Sequence, residues 1–252
     1  GTPAIVVGLP RGARARARPA ADEESAGLAV RTDGDTHEEM SDEQRTRLDA
    51  AWRAIAEEFG EGMAASVKVE VELEIPVGVG LGSSAAMSAS AARALADYIG
   101  DDSPVEAAVQ AGERGFHGNP SGIDQLAALE GGIHFYKPGE AEAPIDAPAF
   151  DVGVCVAGPP ASTAAMVDRV GERRSREPEL FRYVQLMVGD TARFASDALS
   201  KGELSRVGEL MDLNHGALVA LGVSTPALDE ACHLARREGA LGAKLTGAGG
   251  GG

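Results

Sequence analysis

The sequence has few cysteines, few lysines and no long apolar run. Its only two cysteines, Cys155 and Cys232, cannot form a disulfide framework and lack the spacing of a zinc site. This usage favours a reducing, cytoplasmic setting. No apolar run approaches the roughly 18 residues that a membrane span needs, and no signal peptide is visible. We therefore expect a cytoplasmic protein that does not cross a membrane.

Positive charge is also scarce. The 252 residues carry 23 basic and 39 acidic side chains, for a formal net charge of −16. A field of that sign repels nucleic acid and anionic membranes, so neither is expected as a partner. The scarcity of lysine beside many acids and alanines is typical of proteins from a salt-loaded cytoplasm. A genome rich in G and C favours the same residues, and composition leaves both explanations open.

What is present is typical of a globular protein of mixed class. Apolar residues make up 44% and charged residues 25% of the chain. Predicted strands and helices mix in both halves, which indicates an α+β fold. Proline and acid density rises over 139–148, so we predict two domains, 1–147 and 148–252.

Hydrophobic periodicity predicts the main elements. A capping box at Ser41 and Gln44 starts a helix that places Trp52 in the core. Valines alternate with charged residues over 67–75, which is typical of a strand with one buried face. Arginine alternates with alanine over 14–18, which fits either an anion-binding face or a solvated strand, and we favour the second. We further expect turns or an exposed hairpin over 22–39, strands at 152–156 and 243–246, and helices near 163–173, 179–200, 203–220 and 225–238.

The most informative segment runs from Pro76 to Ala86, between a predicted strand and a predicted helix. Its glycines allow a close approach to a ligand, and the helix N-terminus favours an anion. No lysine precedes the serine pair, so this is not a Walker loop. The glycine spacing does not fit a dinucleotide fingerprint either. The alternative to a phosphate site is a glycine turn with a serine helix cap.

Three segments together resemble the GHMP kinases. The Pro76–Ala86 segment resembles their phosphate-binding motif, and Lys244–Gly251 (Lys-Leu-Thr-Gly-Ala-Gly-Gly-Gly) resembles their third motif. Between them, Glu113–Asp124 contains Gly-Asn-Pro-Ser-Gly-Ile-Asp, which looks like the signature of the archaeal-type mevalonate kinase branch. The resemblance implies a two-domain fold, with a mixed α/β N-terminal domain and a ferredoxin-like α+β C-terminal domain. It also implies transfer of a phosphoryl group from ATP, with Mg²⁺, to the terminal hydroxyl of mevalonate.

The resemblance assigns roles to individual residues. It implies that Asp124 is the catalytic carboxylate, and that Ser84 and Glu113 bind Mg²⁺. Asp124, Thr163 and Ala248 would contact the substrate. The phosphates of ATP would be bound by Gly78, Gly80, Leu81, Gly82, Ser83, Ser84 and Ala85.

Each assignment has a plain structural alternative. Asp124 could be a favourable acid at a helix start that Ser121 caps, and Thr163 could be a helix N-cap. Glu113 could be a solvated helix acid, although it lies near a helix end, where an acid is mildly unfavourable. We expect His117 to brace the turn at 118–121 rather than to act in catalysis. Lys244 could bind phosphate or be a surface lysine.

The sequence departs from the family pattern at both ends. It opens at Gly1-Thr2-Pro3 and stops within the glycine run that closes the third motif. Compared with the family, we expect it to lack the N-terminal Ala-Pro-Gly-Lys motif and the C-terminal end. Two alternatives stay open: another small-molecule kinase of the family, acting on phosphomevalonate or homoserine, and a non-catalytic nucleotide-binding homologue. The resemblance also leaves a homodimer open.

Overall fold

The structure is a computed structural model that describes residues 2–22, 25–32, 41–118, 120–140, 143–159 and 161–251. It divides into two compact units, each discontinuous in sequence. The first unit comprises Gly8–Val77 and Gly82–Gly131, and the second comprises Gly1–Val7, Gly78–Leu81 and Gly132–Gly252.

Strands and helices mix along the chain, which confirms the α+β class. The elements are β1 (Ala4–Val7), β2 (Ala13–Pro19), β3 (Gly27–Thr32), α1 (Asp42–Glu57), α2 (Met63–Ser66), β4 (Val67–Leu73), α3 (Ser83–Ile99), α4 (Glu106–His117), α5 (Ile123–Glu130), β5 (Ile133–Tyr136), β6 (Ala143–Pro144), α6 (Thr163–Arg176), α7 (Pro178–Ser200), α8 (Leu204–Leu221) and α9 (Pro226–Arg237).

The first unit contains a three-stranded sheet in the order β2-β4-β3. The central strand β4 pairs antiparallel with β2 and parallel with β3. The side chains of Val67, Val69, Val71 and Leu73 on β4 are all buried, as the alternation predicted. On the other face, Arg18 pairs with Glu70 of β4 at 3.1 Å. This cross-strand ion pair fits the solvated strand rather than an anion-binding face.

Helices α1, α3 and α4 pack together in the first unit. The capping box at Ser41 and Gln44 is present, and Trp52 is buried with its Nε1 donating to the Ala64 carbonyl at 3.1 Å. Two glycines allow α4 to approach its neighbours closely. A Cβ atom on Gly115 would lie 2.5 Å from the Ala51 Cα, and one on Gly112 would lie 2.6 Å from the Ser88 Oγ. This close packing fixes the position of α4.

The second unit contains a small sheet, β1-β5-β6, and the helices α6 to α9. The strand β5 pairs antiparallel with both of its neighbours. Helices α7 and α8 pack against each other. Val223, Leu228 and Leu245 form a buried cluster that packs against Leu218 and Leu221 of α8. The four helices predicted in this half are confirmed within a few residues at each end.

Three local predictions were wrong. Residues 152–156 are not a strand: Val152, Val154 and Val156 are each about half exposed, and no described strand pairs with them. Residues 243–246 are not a strand either, because the Leu245 N–H donates to a histidine side chain instead of to a ladder. Within 22–39, where turns or an exposed hairpin were predicted, β3 is instead a partly buried strand that pairs parallel with β4. Residues 23, 24 and 33–39 lie outside the described part.

The domain prediction stays a prediction. Among the described residues, 148–251 contribute helices and no strand, so the ferredoxin-like arrangement of that half also stays an expectation. None of the described helices combines the length and the apolar character needed to cross a membrane.

Candidate active site

The segment between β4 and α3 turns on glycines. Gly78, Gly80 and Gly82 have φ angles of 79°, 78° and 70°, which side-chain-bearing residues rarely adopt. Gly82 is the N-cap of α3, and no side chain hydrogen-bonds to this helix end. The N–H groups of the first turn, which includes Ser83, Ser84 and Ala85, are therefore not satisfied by a side-chain cap. That arrangement suits an incoming anion.

Ser84 is the residue of this turn that touches other candidate side chains. Its Oγ lies 2.9 Å from His117 Nε2, at the end of α4. It also lies close enough to the Glu113 carboxyl group, one helical turn earlier on α4, to lower the pKa of that acid in part. The single hydroxyl hydrogen serves one of these partners at a time, which leaves a lone pair on the Ser84 oxygen.

Glu113 is a buried acid. Only 2% of its surface is exposed, and its Oε1 has no hydrogen-bond partner. Burial, with a further contribution from the Asp124 charge, raises the pKa of Glu113 to about 7. An isolated buried carboxylate is costly unless a cation or donors compensate it. A cation or a hydrogen-bond donor beside the Glu113 Oε1 would therefore be favourable.

Asp124 lies in the first turn of α5 and points toward the start of α3. A Cβ atom on Gly82 would lie 3.4 Å from the Asp124 Cβ and 3.7 Å from its Oδ1. The Asp124 carboxyl group therefore lies close to the N-terminus of α3. Part of the Asp124 side chain is exposed, yet desolvation by the surrounding protein raises its pKa, while His117 partly opposes that shift.

The structure corrects two details of the sequence interpretation. The N-cap of α5 is Gly122, with a left-handed φ of 86°, and not Ser121. His117 contacts Ser84 rather than serving only the turn that follows it. Desolvation lowers the pKa of His117, while the Asp124 charge partly offsets that shift. Asn119 of the same motif lies outside the described residues.

The first unit thus brings together Ser84, Glu113, His117 and Asp124. Sequence reasoning found the serine and the two acids, but it missed that His117 belongs with them. A histidine four residues after Glu113 on one helix lies on the same face. That spacing was the available signal.

The second unit holds the other predicted positions. Here the third motif closes on the glycines that precede α3: a Cβ atom on Gly247 would lie 3.0 Å from the Gly80 Cα. Ala248 follows directly in this loop and is half-buried. Ser162, not Thr163, is the N-cap of α6, so the alternative reading of Thr163 was wrong. Thr163 is the first residue of that helix and is exposed.

Lys244 differs from one of its two sequence interpretations. Its Nζ donates to the Leu245 carbonyl at 2.6 Å. Burial lowers the pKa of this lysine. Lys244 is therefore not a surface lysine, and its binding of phosphate stays a prediction.

Comparison with known proteins identifies two family models in the chain. The model of the GHMP kinases N terminal domain matches residues 46–132, and the model of the GHMP kinases C terminal matches residues 195–252. The first match contains the Ser84–Asp124 cluster, and the second contains the third motif.

Individual relatives agree with the family models. The mevalonate kinase of Pyrococcus horikoshii is 40% identical over 140 residues, which cover 54% of this chain and 42% of that protein. The mevalonate kinase of Thermococcus gammatolerans is 41% identical over 140 residues, which again cover 54% of this chain and 42% of that protein. These matches therefore span less than half the length of each relative. Among solved structures, L. major mevalonate kinase in complex with R-mevalonate superposes with a TM-score of 0.86 at 27% identity, covering 100% of this chain and 79% of that chain.

Proposed function

The chain belongs to the GHMP kinases, and we propose that it phosphorylates the terminal hydroxyl of mevalonate with ATP, forming 5-phosphomevalonate for isoprenoid synthesis. The observation that carries this proposal is the cluster of Ser84, Glu113, His117 and Asp124 beside the uncapped start of α3. The relatives of about 40% identity, named as mevalonate kinases, support mevalonate as the acceptor.

The phosphate groups of ATP would bind where the glycine-rich segment enters α3. The first-turn N–H groups would donate to phosphate oxygens, and the positive end of the helix dipole would favour their charge. We assign this role to Gly78, Gly80, Leu81, Gly82, Ser83, Ser84 and Ala85. Phosphoryl transfer depends mainly on positioning and electrostatic stabilisation, which backbone donors on a rigid helix supply.

Ser84 and Glu113 fit a Mg²⁺ ion. The Glu113 carboxyl group has a buried oxygen without a partner, and the Ser84 hydroxyl lies beside it. Oxygen ligands of this kind are what Mg²⁺ takes from proteins, with phosphate oxygens and water completing its shell. When bound, Mg²⁺ would neutralise phosphate charge during transfer.

Asp124 would act on the acceptor hydroxyl. Its carboxylate accepts the hydroxyl proton on an Oδ atom as the oxygen attacks the γ-phosphorus of ATP, and ADP leaves. Desolvation raises the pKa of Asp124, which makes the carboxylate a stronger base than an exposed one. His117 would hold the Ser84 hydroxyl in place through their 2.9 Å hydrogen bond.

Thr163 and Ala248 complete the proposed set as contacts of the acceptor. Thr163 is exposed at the start of α6, and Ala248 lies in the third-motif loop beside Gly247. Both are accessible positions on the second unit, where a hydroxyl and a backbone N–H can reach a ligand.

The test is an acceptor panel. The protein expressed from its complete gene is supplied with Mg²⁺ and ATP, and ADP release is measured with mevalonate, phosphomevalonate or homoserine offered separately. Turnover with mevalonate alone is the expected result. Turnover only with one of the other two acceptors would place the protein elsewhere in the family. ATP binding without turnover on any acceptor would instead indicate a non-catalytic homologue.

A further inference from the structure

We infer that His215 is a positioning residue that holds the third-motif loop, Lys244–Gly251, against the glycines of the phosphate motif. No role was assigned to this histidine from the sequence. The inference deepens the proposed function, since the loop it holds is one that the kinase reaction would use.

The imidazole of His215 is buried and connects two elements. Only 6% of its surface is exposed, and its Nδ1 accepts the Leu245 N–H at 3.3 Å. Its Nε2 lies 3.2 Å from Asp229 Oδ1 on α9. Because Nδ1 is an acceptor, the hydrogen of the neutral ring must sit on Nε2 and point to Asp229. The carboxylate thus fixes the tautomer that binds the loop, in the way that outer partners orient histidines elsewhere.

The same region of the second unit also holds the far end of the loop. The Gly250 N–H donates to the Val223 carbonyl at 2.7 Å, in the connection between α8 and α9. The next residue, Ser224, donates its hydroxyl to Asp229 Oδ1 at 2.5 Å. Asp229 therefore accepts from both Ser224 and His215. The start and the end of the loop are fixed to one hydrogen-bonded group of residues.

Side-chain packing reinforces this attachment. Leu245 is 3% exposed and belongs to the cluster with Val223 and Leu228. A Cβ atom on Gly249 would lie 2.2 Å from the Val223 carbonyl oxygen, so the loop backbone rests directly on that residue. Little room remains for the loop to shift away from α8.

The loop in turn touches the phosphate motif. Between its two anchors, Gly247 packs against Gly80 so closely that a Cβ atom on Gly247 would lie 3.0 Å from the Gly80 Cα. Gly80 is two residues before the N-cap of α3. A displacement of Leu245 would therefore reach the segment proposed to bind ATP phosphates, and displacements of about 1 Å can cost a hundredfold in rate.

The experiment compares four variants in the protein expressed from its complete gene. His215→Leu removes both hydrogen bonds. His215→Gln retains an amide oxygen for the Leu245 N–H and an amide N–H for Asp229. Asp229→Ala removes the carboxylate that fixes the tautomer, at a side chain that is 47% exposed and so tolerates truncation. His233→Leu is the matched control, because His233 is an exposed histidine on α9, the helix that also carries Asp229.

Two measurements are made on each variant. Hydrogen exchange of the peptide covering 244–251 reports loop attachment without any substrate. Steady-state kinetics with Mg²⁺, ATP and mevalonate report kcat and KM, beside the Tm of each protein. We expect His215→Leu to exchange about tenfold faster at Leu245 and Gly250 and to lose about tenfold to a hundredfold in kcat. His215→Gln should restore both values, Asp229→Ala should be intermediate, and His233→Leu should match the wild type.

The outcomes separate this inference from the proposed function. Wild-type exchange in both His215→Leu and Asp229→Ala would overturn the inference, and so would faster exchange with an unchanged kcat. A loss of kcat that followed Tm and was not restored by His215→Gln would also overturn it, since that pattern marks a merely structural residue. If His215→Leu does not fold, Asp229→Ala and His215→Gln decide the question. If the wild type transfers no phosphoryl group, the proposed function fails, while exchange still decides whether His215 holds the loop.

Discussion

At the scale of single residues, Glu113 gives the clearest physical signal in the molecule. Its pKa is raised to about 7, chiefly by burial, whereas an unfolded chain would leave it near its ordinary value of 4.5. The folded state therefore binds this proton more tightly than the unfolded state does. The corresponding stability is fully present below about pH 4.5 and is lost as the pH rises through about 7.

This shift predicts a pH-dependent effect of Glu113→Gln. In EDTA, the variant should gain stability relative to the wild type between pH 5 and pH 8, by up to about 3 kcal/mol. Glutamine is neutral at every pH, so it removes the cost of a buried charge while keeping the shape of the side chain. Urea unfolding at several pH values measures the difference, and subtraction cancels the titration of all other groups. A difference that stays constant with pH would show that Glu113 does not titrate in this way.

The sequence predicted which residues belong to the candidate site better than it predicted the contacts between them. Ser84, Glu113 and Asp124 stand in motifs whose spacing is visible in the chain. The hydrogen bond between Ser84 and His117 joins residues 33 positions apart. Such contacts depend on how α3 and α4 pack. The role inferred for His215 could not be predicted for the same reason, because Leu245 and Asp229 approach it only through tertiary structure.

At the scale of elements, periodicity was reliable where one face of an element is buried. Apolar patterns predicted both the strand β4 and the helix α1, and the apolar side chains of both patterns are buried. The predicted strands at 152–156 and 243–246 failed because a strand also needs a neighbour. Residues 152–156 have no described partner, and the Leu245 N–H donates to His215. The strand β3 was missed because its pattern is short and lies in a polar region.

The packing of α4 against α1 predicts opposite effects for one substitution at two sites. Gly115→Ala should destabilise the protein by about 1–3 kcal/mol, because its Cβ atom would lie 2.5 Å from the Ala51 backbone. Gly171→Ala, inside α6, has nothing within 4 Å and should stabilise by about 0.5–1 kcal/mol through helix propensity. Denaturant unfolding followed by circular dichroism measures both. Equal effects at the two sites would contradict the close helix contact.

At the scale of the whole molecule, charge is the dominant feature. With a net charge of −16, repulsion between like charges opposes the compact state. The ion pairs of the described residues lie mostly at exposed side chains and contribute little each. Screening by salt should therefore weaken the repulsion between like charges more than it weakens the attraction within the ion pairs.

This balance predicts stabilisation by salt. The Tm should rise as KCl increases from about 0.05 M to about 1 M, a range over which the screening length falls to about 3 Å. Differential scanning fluorimetry across a KCl series measures the effect, with a balanced-charge protein of similar size as the control. A Tm that falls as KCl is added would mean that attractive pairs outweigh the net repulsion.

The family assignment also belongs to this scale, since it depends on three ordered motifs spread over most of the chain. They predicted the mixed fold and the candidate acids, and both family models match the segments that contain them. The discontinuous units could not be predicted, because Gly78–Leu81 groups with residues more than fifty positions away. The packing of the third-motif loop on Gly80 is a tertiary contact that agrees with this grouping.

The most direct test of the account is the turnover of Asp124→Asn on mevalonate. Asparagine preserves the shape of the side chain but cannot accept the hydroxyl proton, so kcat should fall by about 10²–10⁴-fold while ATP affinity is unchanged. The matched control is Asp102→Asn, at an exposed aspartate before α4, which should behave as the wild type. ADP release and ATP binding are measured on all three proteins. Turnover by Asp124→Asn at the wild-type rate would contradict the assignment of the catalytic carboxylate.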